Sequence, residues 1–143
     1  MQNTTYSFTD TIVTLTHPGW GQITANGAGL GNIAVAMTTE RSAHDVAADG
    51  SVMVSKIAGR NGTIAINVQQ TSTVGKQLTK LFNYLVAASA EVWAQLVVTI
   101  NNSRTGDLIT ATGVSPQKQA DKQFQAQGQQ LTWNFMAADI QQD

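Results

Sequence analysis

The sequence predicts a mainly-β fold with one flanking α-helix, and three observations carry that expectation. The run TIAINVQQT, residues 63–71, alternates Ile64, Ile66 and Val68 with Ala65, Asn67 and Gln69, the period of a strand with one buried face. Leu131, Trp133 and Phe135 alternate in the same way against Thr132, Asn134 and Met136, which leaves one heavily aromatic face. Between these runs the period changes once. Val74, Leu78, Leu81, Phe82 and Leu85 recur at three- and four-residue spacing, and an Ala-rich stretch continues to Ala90. That is an amphipathic helix, which Ser72 or Thr73 can cap by accepting backbone N–H bonds. The predicted core is therefore Ile64, Ile66, Val68, Leu78, Leu81, Phe82, Leu85, Trp133 and Phe135.

The remaining elements follow in chain order. Phe8 to Thr16 is rich in Thr, Ile and Val and stops at His17-Pro18-Gly19, a strand ended by a turn. Trp20 to Gly31 is dense in glycine, which favours turns or bulges over any long regular element. A second strand is expected from about Asn32 to Thr39. Glu40 to Gly50 carries Glu40, Arg41, His44, Asp45 and Asp49 and reads as an exposed charged loop. Ser51 to Ile57 resumes extended character, and Gly59 to Gly62 supplies a turn, so this segment and residues 63–71 are expected to pair as a hairpin. Leu96, Val98 and Ile100 alternate with Val97 and Thr99, Asn101 to Gly106 turns the chain, and Leu108 to Val114 returns, a second hairpin. Ser115 to Gly128 is mostly Gln, Lys and Asp, with Phe124 its only large apolar residue, and reads as a loop or exposed arm. No internal repeat or linker divides residues 1–143, so one domain is expected.

Composition narrows the function. Of 143 residues 42% are hydrophobic, enough for one ordinary core, while only 12% are charged, about half the level of a typical soluble domain. Amides and hydroxyls fill the deficit, a surface suited to burial against further copies of the same chain. A net charge of −1 and scattered basic residues argue against affinity for nucleic-acid phosphates. No stretch approaches the roughly 18 apolar residues of a membrane span, and the start MQNTTYSFTD lacks a basic, then apolar, leader pattern, so neither membrane anchorage nor secretion by that route is expected. The absence of cysteine excludes disulfides, thiolate metal sites and cysteine nucleophiles.

Candidate chemistry is sparse. Gly27-Ala28-Gly29-Leu30-Gly31 echoes a phosphate loop, yet Ile33 to Met37 after it reads as a strand, whereas the dinucleotide fingerprint opens a helix. His44-Asp45, with Ser51 nearby in sequence, echoes a base with its orienting carboxylate, but adjacent loop residues point in different directions and a solvated loop is the favoured reading. His17 and His44 alone do not make a metal site, and Asp45 with Asp49-Gly50 lacks the later ligands of a calcium loop. Trp20, Trp93 and Trp133 lie far apart and offer no aromatic platform for a sugar between paired carboxylates. No enzyme, cofactor or metal is expected.

Four segments together resemble the tube subunits of contractile-tailed bacteriophages and prophages: TYSFTDTIVTLT, ADGSVMVSKIAGRNGTIAINVQQTS with the helix after it, GDLITATGVSPQK, and LTWNFMAADI. They span nearly the whole length. Their order and spacing, with the core from Gly59 to Leu85, carry the resemblance, and departures fall in Trp20 to Gly31 and the Gln-rich loop of about 115–128. The resemblance implies a β-sandwich or partial barrel that completes a larger barrel on ring assembly, with six copies per ring and stacked rings delivering DNA. It also implies sheath, baseplate and tail-terminator partners, DNA passing without specific binding, and a place in the virion tail after assembly in the host cytoplasm. On that footing Glu40, Arg41, His44, Asp45 and Asp49 are candidates for inter-ring stacking, the other reading being a solvated surface turn. Asn67, Gln69, Thr99 and Asn101 are candidates for lining the bore, the other reading being ordinary outward strand positions. The tube of a bacteriocin or secretion apparatus is the nearest alternative; a monomeric surface- or carbohydrate-binding β-module is the alternative from another class.

Overall fold

In the computed structural model, which describes residues 3–27 and 29–143, seven antiparallel strands form one sheet that curls into a half-barrel. The strands are β1 (Thr11–His17), β2 (Gly21–Ala25), β3 (Leu30–Met37), β6 (Gly62–Gln69), β7 (Leu96–Asn102), β8 (Asp107–Pro116) and β9 (Gln130–Gln142). Their spatial order is β2-β1-β7-β8-β9-β6-β3. The remaining strands, β4 (Ser42–Val46) and β5 (Val52–Lys56), pair only with each other. Of the two architectures expected, the partial barrel is the one present.

Alternation puts one face of each sheet strand in the core. Val13, Leu15, Ile23, Ile64, Ile66, Val68, Leu96, Val98, Trp133 and Phe135 are all buried. The helix α1 (Thr73–Ala87) covers them with Val74, Leu78, Leu81 and Leu85. Ser72 is its cap: Gly75 N–H donates to Ser72 Oγ at 3.1 Å, which satisfies one of the orphan donors of the first turn. Of the predicted core residues only Phe82 is partly buried, packed edge-on to Trp93 and tilted against Trp133. No described helix is long and apolar enough to cross a membrane.

Curling needs local breaks in the ladder. Leu96 faces Val114 while Val98 faces Ala111, so Thr112 and Gly113 together oppose Val97 in a β-bulge. Gly113 sits at φ 62, and a Cβ there would lie 2.8 Å from that of Ala138, so glycine is required twice over. The β7–β8 turn is fastened by Asn102, whose Nδ2 donates to Thr11 Oγ1 at 3.0 Å while its Oδ1 accepts from the Arg104 and Thr105 N–H groups. His17 is buried at the end of β1: Gly19 N–H donates to its Nδ1, and its Nε2 lies 2.9 Å from Val92 O.

Four expectations are corrected. The segment Ser51 to Ile57 does not pair with residues 63–71; β5 pairs with β4, and both sides of β6 are occupied by β3 and β9. Gly59 to Gly62 is no tight turn but one leg of a pair of strands running out together. Thr38 N–H donates to Asn61 O, Ile57 N–H donates to Arg41 O, and Thr39 and Asn61 bond through their side chains. The predicted charged loop of about 40–50 therefore holds the strand β4: β4 and β5 continue the β3–β6 pair beyond the sheet and close through a turn in which Gly50 N–H donates to Ala47 O. Finally, the glycine-dense stretch holds β2 opposite β1. Gly21 opens that strand and Gly27 follows it, both at positive φ, while Gln22-Ile23-Thr24 between them alternates as a strand should.

Candidate functional site: bare margins, hairpin and polar face

The sheet ends in β2 on one side and β3 on the other, and among the described residues neither has a second strand partner. The direction of the free groups on β3 follows from register. Because Thr38 N–H donates to Asn61 O at 3.0 Å, residues 32, 34 and 36 turn their backbone groups to β6. Ile33, Val35 and Met37 then present N–H and C=O at the open margin. Their side chains lie on the core face of the sheet; Ile33 and Val35 pack partly against the core, and Met37 is 45% exposed. An unpaired margin with half-covered apolar side chains is a template for pairing with another chain.

Every strand residue of the β4–β5 hairpin is exposed, including Val46, Val52, Met53 and Val54. A lone two-stranded hairpin is marginal in water, and this one also displays apolar side chains. The predicted stacking residues are distributed along it. Glu40 and Arg41 stand at its base, where Arg41 Nε donates to Ile57 O at 2.7 Å. His44 and Asp45 are neighbours on β4 and so point to opposite faces, opposite Val54 and Met53. That geometry does not make them an acid–base pair with Ser51. Asp49 lies in the turn, where the Ser51 backbone N–H donates to it at 3.0 Å; this bond, helped by the Ser51 hydroxyl, holds its carboxyl below the usual aspartate range.

The face of the sheet away from the helix mixes amide and hydroxyl side chains with the apolar Ile12, Val97, Leu108 and Met136. Thr14, Thr99, Thr110 and Gln141 form one transverse row across β1, β7, β8 and β9. Asn32, Asn67 and Thr132 form another across β3, β6 and β9, joined by side-chain hydrogen bonds. The predicted bore residues Asn67, Gln69, Thr99 and Asn101 thus share this face, although they come from strands separated by β8 and β9. No lysine or arginine stands in any of the seven strands, and their only carboxylates are Asp107 and Asp139. Arg60 Nε meets Asp139 at 2.8 Å and balances it.

Convergent chemistry does not assemble. The glycine-rich segment opens β3 and not a helix, with Ala28 outside the described residues. Among the described residues no three of His, Asp and Glu come together as a metal site would need. Sequence reasoning missed the strand β2, the bare margin at Ile33, Val35 and Met37, and the apolar content of the hairpin. The missing cations were visible: all eight Lys and Arg fall outside the stretches that form the sheet.

A curled antiparallel half-barrel with one covering helix is a tail-tube-like fold. The chain belongs to the bacteriophage PhiTE tail tube protein family, whose model matches residues 3–143. Its fold is also similar to solved chains from three assemblies. One is from the anti-feeding prophage baseplate, 6-fold symmetrised, with TM-score 0.67, 11% identity, and coverage of 99% of this chain and 97% of that one. A second is from an extracellular contractile injection system, the PVC sheath-tube complex in its extended state, with TM-score 0.59, 11% identity, and 93% and 87% coverage. The third is from the tail of an empty GTA particle refined with C6 symmetry, with TM-score 0.63, 10% identity, and 96% and 98% coverage. No curated protein matches the chain.

Proposed function

We propose that this chain is the repeating subunit of a tail tube, that six copies close into a ring, and that stacked rings form a conduit through which DNA passes. The observation that carries this reading is the larger sheet itself: its margins are unpaired, and its strands hold no cation. Heterologous contacts between the margins of successive copies close a ring with no free edge, so assembly completes the hydrogen bonding that one copy leaves open. With the helix-covered side turned outward, Asn67, Gln69, Thr99 and Asn101 face the bore. A polyanion moving past this uncharged wall meets no array of Lys or Arg to release counterions and hold it.

On this reading the protein acts mechanically, with no catalytic step. Its neighbours are a sheath, a baseplate and a tail terminator, and it is assembled in the host cytoplasm before it sits in the virion tail. Size-exclusion chromatography with negative-stain microscopy tests it. Rings or tubes are expected, and a particle of strictly 15.2 kDa at high concentration overturns the proposal. A second reading, the tube of an injection apparatus without a genome, is favoured by the contractile injection systems among the structural neighbours. Co-purification of tubes with or without capsids separates the two.

A further inference from the structure

Asparagine followed by glycine is the pair in which the backbone most readily attacks the side chain before it, because glycine has no Cβ to hinder its nitrogen. The sequence holds two such pairs, Asn26-Gly27 and Asn61-Gly62. The fold treats them differently. Asn61 O accepts from Thr38 N–H at 3.0 Å, and the Asn61 side-chain oxygen accepts from Thr39 Oγ1. Since Asn61 faces β3, Gly62 turns its N–H to the other side, toward Ala137 of β9. Gly62 is buried, and a Cβ there would strike the Ala36 carbonyl oxygen, so this peptide has no room to swing. Asn26-Gly27 stands outside the ladder, which runs no further along β2 than Ala25 opposite Val13. Asn26 is exposed, and Gly27 sits at φ 97 with its carbonyl accepting from Leu30 N–H. Among the described residues no acceptor meets the Gly27 N–H.

We infer that Asn26 is a site of spontaneous deamidation in the folded subunit and that Asn61 is protected by the sheet. Gly27 N attacks Asn26 Cγ and gives up its proton; the new C–N bond closes a succinimide ring as Nδ2 leaves as ammonia. Water then opens the ring at either carbonyl. One opening gives aspartate, and the other gives isoaspartate, with the main chain routed through the former side chain. No oxidant or reductant takes part. Either product replaces a neutral amide by a carboxylate and makes the net charge of −1 one unit more negative. The new charge lies one residue beyond β2, on an open margin of the sheet. The chemistry stands apart from the tube reading, but its consequence rests on that reading: a copy aged in this way joins a ring less well, because covering a carboxylate costs more than covering an amide.

Peptide mass spectrometry of native protein aged in mildly alkaline buffer tests the chemistry. The gain of one mass unit is expected at Asn26 at least several-fold faster than at Asn61, whereas in urea, with the ladder gone, the two pairs should react at similar rates. Equal rates in the native protein, a faster gain at Asn61, or no gain at Asn26 overturns the inference. Asn26→Gln, whose longer side chain closes the smaller ring no longer, should lose most of the acidic species that ion exchange resolves from aged intact protein; an undiminished acidic fraction also overturns it. For the consequence, aged and fresh protein are mixed, tubes are pelleted, and the deamidated chains should be several-fold depleted in the pellet. Equal representation removes the consequence and leaves both the chemistry and the tube. Failure of fresh protein to form tubes overturns the tube reading and leaves the chemistry.

Discussion

Proline at Val35 removes one N–H, and the register of β3 says where that N–H points. Residues 32, 34 and 36 bond to β6, so the group lost from Val35 belongs to the open margin and to no bond within the subunit. Val35→Pro should leave the subunit close to its original stability, because an edge strand tolerates proline on its outward side and the fixed φ of about −65° lies at the border of the β region. The effect should fall on association. Each ring contact loses one backbone hydrogen bond, about 0.5–1.5 kcal/mol net, and the pyrrolidine ring adds a steric obstacle to the incoming strand. In the proposed ring of six contacts the loss accumulates to roughly 3–9 kcal/mol per closed ring. Ala34→Pro is the matched control: its N–H faces β6, so a ladder bond inside the sheet disappears and the subunit itself should weaken by about 3 kcal/mol or more. Urea unfolding of dilute protein measures the first quantity, and sedimentation velocity over a concentration series measures the second. If Val35→Pro forms rings at wild-type concentrations, or unfolds as readily as Ala34→Pro, the assignment of the β3 margin to ring closure is wrong.

Other perturbations probe the core, the bore and the hairpin. Leu81, 2% exposed between helix and sheet, should cost about 2–5 kcal/mol when changed to Ala, whereas Val86→Ala on the exposed side of the same helix should cost under about 0.5 kcal/mol, both read as shifts of the urea midpoint at constant slope. Asn67→Lys should turn a passive wall into one that holds DNA in a salt-dependent manner; co-sedimentation of DNA with tubes across a salt series checks this, and no gain at low salt would remove Asn67 from the bore. The Asp49 carboxyl, held low by the Ser51 N–H, should keep the hairpin turn formed above the ordinary aspartate range, with its contribution lost as pH falls through the lowered value. The Ser51 amide resonance, followed by NMR, should titrate there; a transition at or above the usual range contradicts the bond.

Sequence alone conveyed most of the regular structure, and its failures share a cause. Residues 63–71 and 131–136 were legible because one face of each is buried, which forces alternation. The helix was legible because its apolar stripe faces that same core. β4 was misread because both of its faces meet solvent, so neither charge nor hydropathy alternates and a charge-rich stretch resembles a loop. The pairing of β5 with β4 was hidden for a related reason: Gly59 to Gly62 looks like a turn by composition, yet it lies alongside Thr38 and Thr39. Asn67 and Thr99 read from the sequence only as polar strand positions, and their membership of one face depends on β8 and β9 lying between them. Phe124 was noticed without a role, since nothing local says what an exposed ring on a glutamine-rich arm would meet.

The hairpin is the outer half of a single pair of chain segments whose inner half is β3 and β6. Bonds at Thr38–Asn61 and Arg41–Ile57 bridge the junction, so no slack segment uncouples the two halves. Any tilt imposed on β3 by a lateral neighbour is therefore passed along the same two segments to Val52 and Val54. In a tube of the proposed kind, lateral closure then sets the direction of the hairpin, and free subunits, with that direction unset, are poor seeds for a filament. Growth by whole rings in place of stray single additions is the behaviour such a lever favours.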